Sequence, residues 1–238
     1  MTLGYYDFPA CALAFCTGQK DARPYREGGC LYRRRGRKTT ALTLVSFSDP
    51  AEAYSQLLRY KGEGAKVQSL NYTSPIPEGI RTKRGPTEWM QHDFDAVRNA
   101  GGSRGKRVRR QIRLAGDPYE PTREEALRIF AEWQAWAEGR HFMVFKGHYL
   151  SWIDLHYRRE FPTRLIAFKG GGIFGWEVHE GVAQITIAKH TPEFPVHDLW
   201  SGGLNAIEQK TIHCGSTADR LKELLGCTPV PSWSFDLK

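Results

Sequence analysis

Residues 172–216 contain side chains that can transfer protons or stabilise developing charge. Glu177, His179 and His190 lie on or beside two strand-like runs, and histidine suits proton transfer because it titrates near neutral pH. Cys214 ends the next short strand and Ser216 starts the following helix, a corner suited to a leaving-group acid or an oxyanion donor. The alternative is that all five are ordinary surface or hydrogen-bonded residues, with Cys214 a buried structural cysteine rather than a nucleophile.

The histidines and cysteines lack the spacing of a metal site. Seven of the eight histidines lie between residues 141 and 213, but no H-x-H, H-x-x-x-H or H-E-x-x-H pattern occurs. Cys11, Cys16 and Cys30 have no C-x-x-C spacing, so we expect no structural zinc and no other metal. Five cysteines at irregular spacing are also unlike a secreted disulfide framework, and they indicate a reducing cytoplasm.

Positive charge is concentrated in the first half of the chain. Residues 1–116 hold 21 of the 34 Lys and Arg but only 10 of the 26 Asp and Glu, whereas residues 117–238 are mildly acidic. This asymmetry predicts a face for a polyanion, which is nucleic acid, a phosphorylated cofactor or anionic lipid; the alternative is a solvated surface. The candidate polyanion-binding residues are Arg33, Arg34, Arg35, Arg104, Arg107, Arg109, Arg110 and Arg113.

Two helices are predicted to carry or support this charge. The basic helix spans 103–115, with Ser103 as its cap and an apolar stripe of Val108, Ile112 and Ala115 facing inward. Like charges at i, i+4 on its other side oppose helix formation, and an anion would relieve that repulsion. A second helix over 121–139 begins with the capping box of Thr122 and Glu125. Its predicted buried stripe is Ala126, Phe130, Trp133 and Ala137.

The remaining pattern predicts a mixed chain of helices and strands. Alternation and turn glycines indicate an antiparallel meander of three strands, followed by helix, strand, helix and strand. The expected strands are 40–47, 65–74, 163–171, 172–181, 182–190, 211–215 and 231–237, with an irregular strand and turn after 142. The other expected helices are 49–62, 194–210 and 216–227, and 74–86 is expected to be a loop. No run reaches the roughly 18 apolar residues of a membrane span, and we expect no signal peptide.

Three stretches of the second half resemble a known fold. They are "GSRGKRVRRQIRLAG", "IFGWEVHEGVAQITIAKH" and "IHCGSTADRLKELLGCTPVPSWSFDL". Together they resemble the GNAT superfamily of acyltransferases, in its divergent FemAB-like and lysyl-phosphatidylglycerol synthase C-terminal branch. The resemblance implies an α/β fold with a central mixed, mostly antiparallel sheet flanked by helices. It places this domain at 101–238, with a basic α/β region at 1–100 that either stands apart or completes the same sheet.

The resemblance also implies where the donor binds. A strand edge opened in the central sheet holds the activated carbonyl in such proteins, which makes Gln184, Thr186 and Ala188 donor-binding candidates. Acetyl-CoA users then have a glycine-rich phosphate loop, but here Pro192 and Pro195 remove N–H donors from that segment. Either the donor is not acyl-CoA, or side chains of the basic helix hold its phosphates.

These observations lead to two main hypotheses of function. The first is an N-acyltransferase that moves an acetyl, other acyl or aminoacyl group to an amine on an anionic acceptor, such as a modified nucleobase in phage-type DNA or tRNA. The second is a non-enzymatic nucleic-acid-binding protein on the same scaffold. Both predict a nucleic-acid partner whose binding weakens steeply with salt. Transfer to a lipid at a membrane surface ranks last, because no amphipathic anchor is evident.

Overall fold

A computed structural model describes residues 8–17, 22–27, 30–35, 38–41, 66–67, 82–84, 87–140, 146–216, 219–231 and 233–235. Its helices are α1 (Pro9–Thr17), α2 (Phe94–Asn99), α3 (Gly102–Ala115), α4 (Arg123–Glu138), α5 (Lys146–Arg158), α6 (Val196–Asn205) and α7 (Asp219–Leu224). Its first six strands are β1 (Ala22–Glu27), β2 (Cys30–Arg35), β3 (Lys38–Ala41), β4 (Lys66–Val67), β5 (Thr82–Arg84) and β6 (Glu88–Gln91). The others are β7 (Thr163–Phe168), β8 (Gly172–His179), β9 (Val182–His190), β10 (Thr211–His213), β11 (Thr228–Val230) and β12 (Trp233–Phe235).

The central sheet has six strands in the order β11-β6-β10-β9-β8-β7. The pairs β7–β8 and β8–β9 are antiparallel, which confirms the predicted meander, and β6 pairs antiparallel with both β10 and β11. The pair β9–β10 is parallel, because α6 carries the chain across one face of the sheet between these two strands. The predicted mixed, mostly antiparallel sheet flanked by helices is therefore confirmed. Strands β1 to β4 form a second sheet, and β5 pairs with β12.

Helices cover both faces of the six-stranded sheet. On one face, apolar residues of α3, α6 and α7 pack against Phe174, Trp176 and Ile185. On the other face, α1, α4 and α5 pack against Ile173 and Ile187. This packing buries a contiguous apolar layer on each face of the sheet. Burial of apolar surface is the main stabilising contribution to such a layered fold.

A glycine in α6 permits close packing on the sheet. A Cβ atom added to Gly203 would lie 2.4 Å from two atoms of the Phe174 ring, so no larger residue fits there without a shift. Gly203 has a low intrinsic preference for helix, but it allows α6 to approach β8 closely. The helix itself runs from Val196 to Asn205, within the predicted 194–210.

Several local expectations were correct and others were wrong. Helix α4 begins after Thr122, whose Oγ1 accepts the N–H of Glu125 at 3.2 Å, as predicted. The segment expected as a strand and turn after 142 contains helix α5, because Trp152, Ile153 and Leu155 are buried at helical spacing. The basic helix begins at Gly102 with Gly101 as its cap, so the predicted Ser103 cap was wrong. Part of the expected loop 74–86 is strand β5, since 82–84 pair with β12.

Some expectations fall partly or wholly on residues that the structure does not describe. The predicted helix 49–62 lies outside the described residues, as do most of the predicted strands 40–47 and 65–74. In the parts that are described, 38–41 and 66–67 are paired as parallel strands.

Candidate functional site

The central sheet opens between β9 and β10. The two strands pair only from Val182 to Gln184 against Thr211 to His213, while β9 continues to His190. Beyond His213 the chain turns instead to β6, where the Cys214 N–H donates to the Trp89 carbonyl oxygen at 2.7 Å. Among the described residues, β9 therefore has no partner on its β10 side from Ile185 onward, and we call this opening the gap.

A row of buried polar side chains crosses the sheet beside the gap. Thr163 pairs with Glu177, Glu177 with Gln184, and Gln184 with His213, so the four residues lie side by side on four successive strands. Directly paired residues point to the same face of a sheet. All four are less than a tenth exposed. Burying polar groups is costly unless they are hydrogen-bonded, so this row requires specific partners.

Glu177 holds helix α1 against the sheet. Its Oε1 accepts the Ala10 N–H at 2.8 Å and its Oε2 accepts the Cys11 N–H at 3.0 Å, at the first turn of the helix. A carboxylate is favoured there because the unpaired N–H groups of a helix start carry partial positive charge. Burial raises the pKa of Glu177, and the two N–H groups oppose that rise. Glu177 thus fixes the position of α1.

A β-bulge brings Thr186 to the same place. Gly175 pairs with Ile187 while Trp176 pairs with Ile185, which leaves Thr186 as the additional residue of β9. Bulges redirect a side chain locally, and the Thr186 hydroxyl oxygen lies 2.8 Å from the Cys11 Sγ.

Gln184 has an unused acceptor next to the gap. Its Nε2 donates to the Ile185 carbonyl oxygen at 2.7 Å, but its buried Oε1 has no hydrogen-bond partner among the residues that the structure describes. An unpaired buried amide oxygen is costly, and an N–H or O–H group of a ligand would satisfy it.

Three ionisable residues meet where β10 ends. The Lys222 Nζ is fully buried and donates to the Gly215 carbonyl oxygen at 2.7 Å. The Glu88 Oε2 lies 3.6 Å from the His213 Nε2. Burial raises the pKa of Glu88 to about 7 although Lys222 acts in the opposite direction. Burial and Lys222 together lower the pKa of His213 to about 3. A carboxyl group that titrates near pH 7 is suited to accept and release a proton.

Two predicted catalytic residues lie at opposite ends of the central hairpin. His179 pairs with Val182 at the start of β9, whereas His190 ends this strand. Eight residues of extended chain separate these ends by about 26 Å, so the structure does not bring the two histidines together. The His190 Nδ1 lies 2.7 Å from the Thr191 carbonyl oxygen.

The other predicted residues of the corner lie closer to the gap. Cys214 is buried, with its Sγ 3.7 Å from the Cys227 Sγ, and burial raises the pKa of its thiol. Ser216 is partly exposed just after Gly215. Ala188 lies on the part of β9 that borders the gap, and it packs against the core around Phe174.

Two of the predicted polyanion-binding arginines stabilise the fold. The Arg104 guanidinium donates to the carbonyl oxygens of Glu223 and Leu224 at the end of α7. The Arg109 guanidinium donates to the Arg98 carbonyl oxygen at 2.7 Å, in the turn before α3. Both groups satisfy carbonyl oxygens of helix ends that would otherwise be unpaired.

Other basic residues remain available to a ligand. A cavity of about 490 Å³ is lined by α3, the start of α6 and α7, and it includes Arg107, His197 and Arg220. Within the described part of the chain, Arg107 and Arg220 have no hydrogen-bond or ion-pair partner for their side chains, and the same holds for Arg110 and Arg113 of α3. Arg33, Arg34 and Arg35 lie on β2, and their side chains are outside the described residues.

The sequence analysis missed three residues of this site, namely Cys11, Glu88 and Lys222. Lys222 lies in the quoted stretch "IHCGSTADRLKELLGCTPVPSWSFDL", but nothing in that stretch indicates that the lysine is buried. Glu88 and Cys11 stand in the first half of the chain, in segments without a distinctive motif. Among the described residues, no group of three His, Cys, Asp or Glu side chains is arranged to hold a metal ion. No described helix is both long and apolar enough to cross a bilayer.

The fold has solved counterparts. A conserved protein of unknown function from Bacteroides thetaiotaomicron superposes with a TM-score of 0.67 at 14% identity, covering 98% of this chain and 93% of that one. The C-terminal domain of a putative lysylphosphatidylglycerol synthetase from Agrobacterium fabrum gives 0.58 at 14% identity, with 98% and 89% covered. FemX gives 0.58 at 10% identity, with 100% and 97% covered.

The chain shares the fold of these proteins. The predicted resemblance to the FemAB-like and lysyl-phosphatidylglycerol synthase branch is therefore confirmed at the level of fold. No protein-family model matches the sequence, and no curated protein matches it.

Proposed function

We propose that this chain is an acyl- or aminoacyltransferase that moves its group from a phosphate-bearing donor to an amine. The observation that carries the proposal is the gap between β9 and β10, because among the described residues it leaves one edge of β9 without a strand partner beside a buried polar row. Unpaired backbone N–H groups can hold a carbonyl oxygen as negative charge develops on it. This choice follows the resemblance to the FemAB-like and lysyl-phosphatidylglycerol synthase branch of acyltransferases, and the fold shared with FemX and with the putative lysylphosphatidylglycerol synthetase domain supports it.

The donor's phosphates are proposed to occupy the cavity of about 490 Å³ between α3, α6 and α7. Helix α6 follows β9 and α7 follows β10, so the helices that leave the two separating strands both line this cavity. The α6 start is a poor phosphate site by itself, because the Asp198 and Leu199 N–H groups already donate to the Pro195 carbonyl oxygen. Arg107 and Arg220 would supply the positive charge instead.

The proposed reaction is an ordinary acyl transfer. The acceptor nitrogen attacks the carbonyl carbon, a C–N bond forms, and the carbon–sulfur or carbon–oxygen bond to the donor breaks. The proton lost by the amine passes to a base, and the leaving thiolate or alkoxide takes up a proton. We assign the base to Glu88, because its pKa near 7 lets it exchange protons at neutral pH. We assign Ser216, just past Gly215, to protonating the leaving group.

Two residues of the polar row would position the reactants. The free Gln184 Oε1 would accept a hydrogen bond from the acceptor amine or from the amino group of an aminoacyl donor. We assign Glu177 to holding α1, and through Cys11 to ordering Thr186, rather than to proton transfer. This assignment predicts that Glu177→Gln changes substrate affinity and stability more than the pH profile of transfer.

A nucleic-acid strand is the finer part of the proposal. Arg110 and Arg113 add positive charge on α3 outside the lining of the donor cavity. This favours a tRNA-borne donor or an acceptor amine on DNA or tRNA. Phosphate contacts of this kind release counterions, so affinity should fall steeply between 50 and 200 mM salt, as expected for several phosphate contacts.

The test compares donors by thermal shift and then by transfer. Acetyl-CoA and a mixture of aminoacyl-tRNAs are each added to the wild type, to a variant with Arg107→Glu and Arg220→Glu, and to Arg128→Gln. Arg128 is a control because it is exposed on α4 in an ion pair with Glu132. A true donor raises the melting temperature by mass action in the wild type and in the control but not in the double variant. Transfer of the labelled group to an amine then establishes the enzyme.

The opposing outcomes are distinct. If neither donor raises the melting temperature at low salt, the transferase proposal fails. If tRNA or DNA binds with the expected salt dependence but no labelled group is transferred from any donor, the chain is a nucleic-acid-binding protein on this fold. If acetyl-CoA stabilises the double variant as much as the wild type, the donor cavity is wrongly assigned.

A further inference from the structure

A second cavity shares no lining residue with the cavity beside α3. It has a volume of about 830 Å³ and opens where β7 begins and β8 ends. Trp176 and Val178 of β8 form an apolar wall, together with Phe161 just before β7. Cavities of this size that combine aromatic walls with a few polar groups are typical binding sites for small molecules.

Charged groups of both signs line this cavity. Arg159 and Arg164 come from the end of α5 and from β7, whereas Glu120 precedes α4 and Glu208 follows α6. In the described part of the molecule, none of these four side chains has a hydrogen-bond or ion-pair partner. The adjacent Arg158, which is outside the cavity lining, does pair with Glu160 at 3.9 Å. The four charges of the cavity lining are therefore available to a ligand.

The charges on the α5 side are close to one another. The pKa of His156 is lowered mainly by burial, with Arg159 and Arg164 adding to this effect and Glu120 opposing it. All three charges thus act on a single imidazole ring in the cavity wall. Arg159 also has a φ of 56°, a backbone conformation that costs a non-glycine residue energy and that is retained where position matters.

The cavity adjoins the gap. Trp176 of its wall pairs with Ile185, which is the first residue of β9 beyond the last pair with β10. Paired strands are about 4.8 Å apart, so a ligand that rests on Trp176 lies one strand away from the opened edge. Both residues also belong to the same apolar cluster on the same face of the sheet.

From these observations we infer that the cavity binds a small zwitterion with an apolar body, namely a free amino acid or a very short peptide. Arg164, which pairs with Trp176 across the sheet, binds the carboxylate, Glu208 binds the ammonium group, and the apolar side chain rests against Trp176 and Phe161. A ligand that carries both a cation and an anion is matched only when charges of both signs line the cavity, as they do here. The claim that this ligand is the acceptor of the transfer rests on the proposed function, whereas the claim that the cavity binds it does not.

The test measures equilibrium binding in the absence of any donor. Binding is monitored by the change in Trp176 fluorescence and, independently, by calorimetry. The probe is L-phenylalanine, and its matched analogues are 2-phenylethylamine, which lacks the carboxylate, and 3-phenylpropanoate, which lacks the amine. The expected result is that L-phenylalanine binds at least tenfold more tightly than either analogue. A variant with Trp176→Phe verifies that the fluorescence change comes from the cavity, and calorimetry measures its affinity independently.

Two charge variants separate the ends of the ligand. Arg164→Gln should weaken the binding of L-phenylalanine and 3-phenylpropanoate about tenfold and leave that of 2-phenylethylamine unchanged. Glu208→Gln should weaken the binding of L-phenylalanine and 2-phenylethylamine about tenfold and leave that of 3-phenylpropanoate unchanged. Arg158→Gln is the control and should change none of them. The inference is overturned if L-phenylalanine shows no saturable binding, or if both charge variants bind all three probes like the wild type. If L-phenylalanine binds but no acyl or aminoacyl group is transferred to it, the acceptor role is refuted and the cavity remains a binding site.

Discussion

Replacing Glu88 by glutamine should change how stability depends on pH. The pKa of Glu88 rises from 4.5 to about 7 in the folded protein, mainly through burial. The folded state therefore keeps this proton up to about pH 7, whereas the unfolded chain loses it near 4.5. The resulting stabilisation is present below pH 4.5 and is lost as the pH rises through 7. This difference in pKa corresponds to about 3 kcal/mol in the free energy of unfolding.

His213 changes the free energy of unfolding with pH in the opposite direction, over a pH range that overlaps that of Glu88. Its pKa falls from 6.5 to about 3, and its Nδ1 accepts the Gly215 N–H at 3.3 Å, which keeps the imidazole neutral. Its contribution is present above pH 6.5 and is lost as the pH falls through about 3. In the wild type the two slopes largely cancel between pH 4.5 and 6.5. Glu88→Gln removes one of them, so the stability of the variant should rise with pH across this range.

The assay is urea unfolding followed by tryptophan fluorescence at half-unit steps from pH 4.5 to 7.5. The free energy of unfolding of Glu88→Gln, relative to the wild type, should rise by about 3 kcal/mol from the lower to the upper end. Glu223→Gln, at an exposed position of α7, is the control and should track the wild type. Parallel curves for Glu88→Gln and the wild type would refute the burial argument and with it the assignment of Glu88 as the base.

Three further changes test the packing around the site. Glu177→Gln should cost about 1–3 kcal/mol, because it weakens two charge-assisted bonds to the start of α1; faster hydrogen exchange of α1 amides would show it, and unchanged exchange would contradict it. Gly203→Ala should lower the free energy of unfolding by about 2 kcal/mol, because the added methyl group would overlap the Phe174 ring. Gly101→Ala is the control and should lower the free energy of unfolding far less, because Gly101 has open space around it. Equal urea midpoints for the two variants would disprove the close contact at Gly203. Arg104→Met should speed exchange at the end of α7, whose carbonyl oxygens its guanidinium binds; protection equal to the wild type would mean that solvent replaces these bonds without loss.

Local patterns predicted elements whose burial repeats along the chain. The three meander strands alternate or run apolar between glycine turns, and α4 has both a cap and an apolar stripe, so each could be predicted from neighbouring residues. Helix α5 could not, because its sequence mixes aromatic, polar and β-branched residues without a clear period. Its conformation follows from burying Trp152 beneath the sheet, which is a non-local contact.

Within the candidate site, sequence reasoning named Glu177, Gln184 and Thr186. In the structure Glu177 and Thr186 both contact Cys11, and Gln184 is the strand partner of Glu177. Sequence reasoning also named His179 and His190, which the hairpin places at opposite ends. In a hairpin, sequence proximity does not decide spatial proximity, because register determines which residues face each other.

The amino-acid sequence alone determined the class of fold, the order of most elements in the second half and the concentration of positive charge on α3. Each of these depends on residue types and on spacing within a few turns or strands. Only the tertiary structure decided that Glu88, His213 and Lys222 meet, that Arg104 and Arg109 bind carbonyl oxygens rather than a ligand, and that β9 and β10 separate. These features depend on strand register and on side-chain contacts, some of them between residues more than one hundred positions apart, for which local periodicity carries no information.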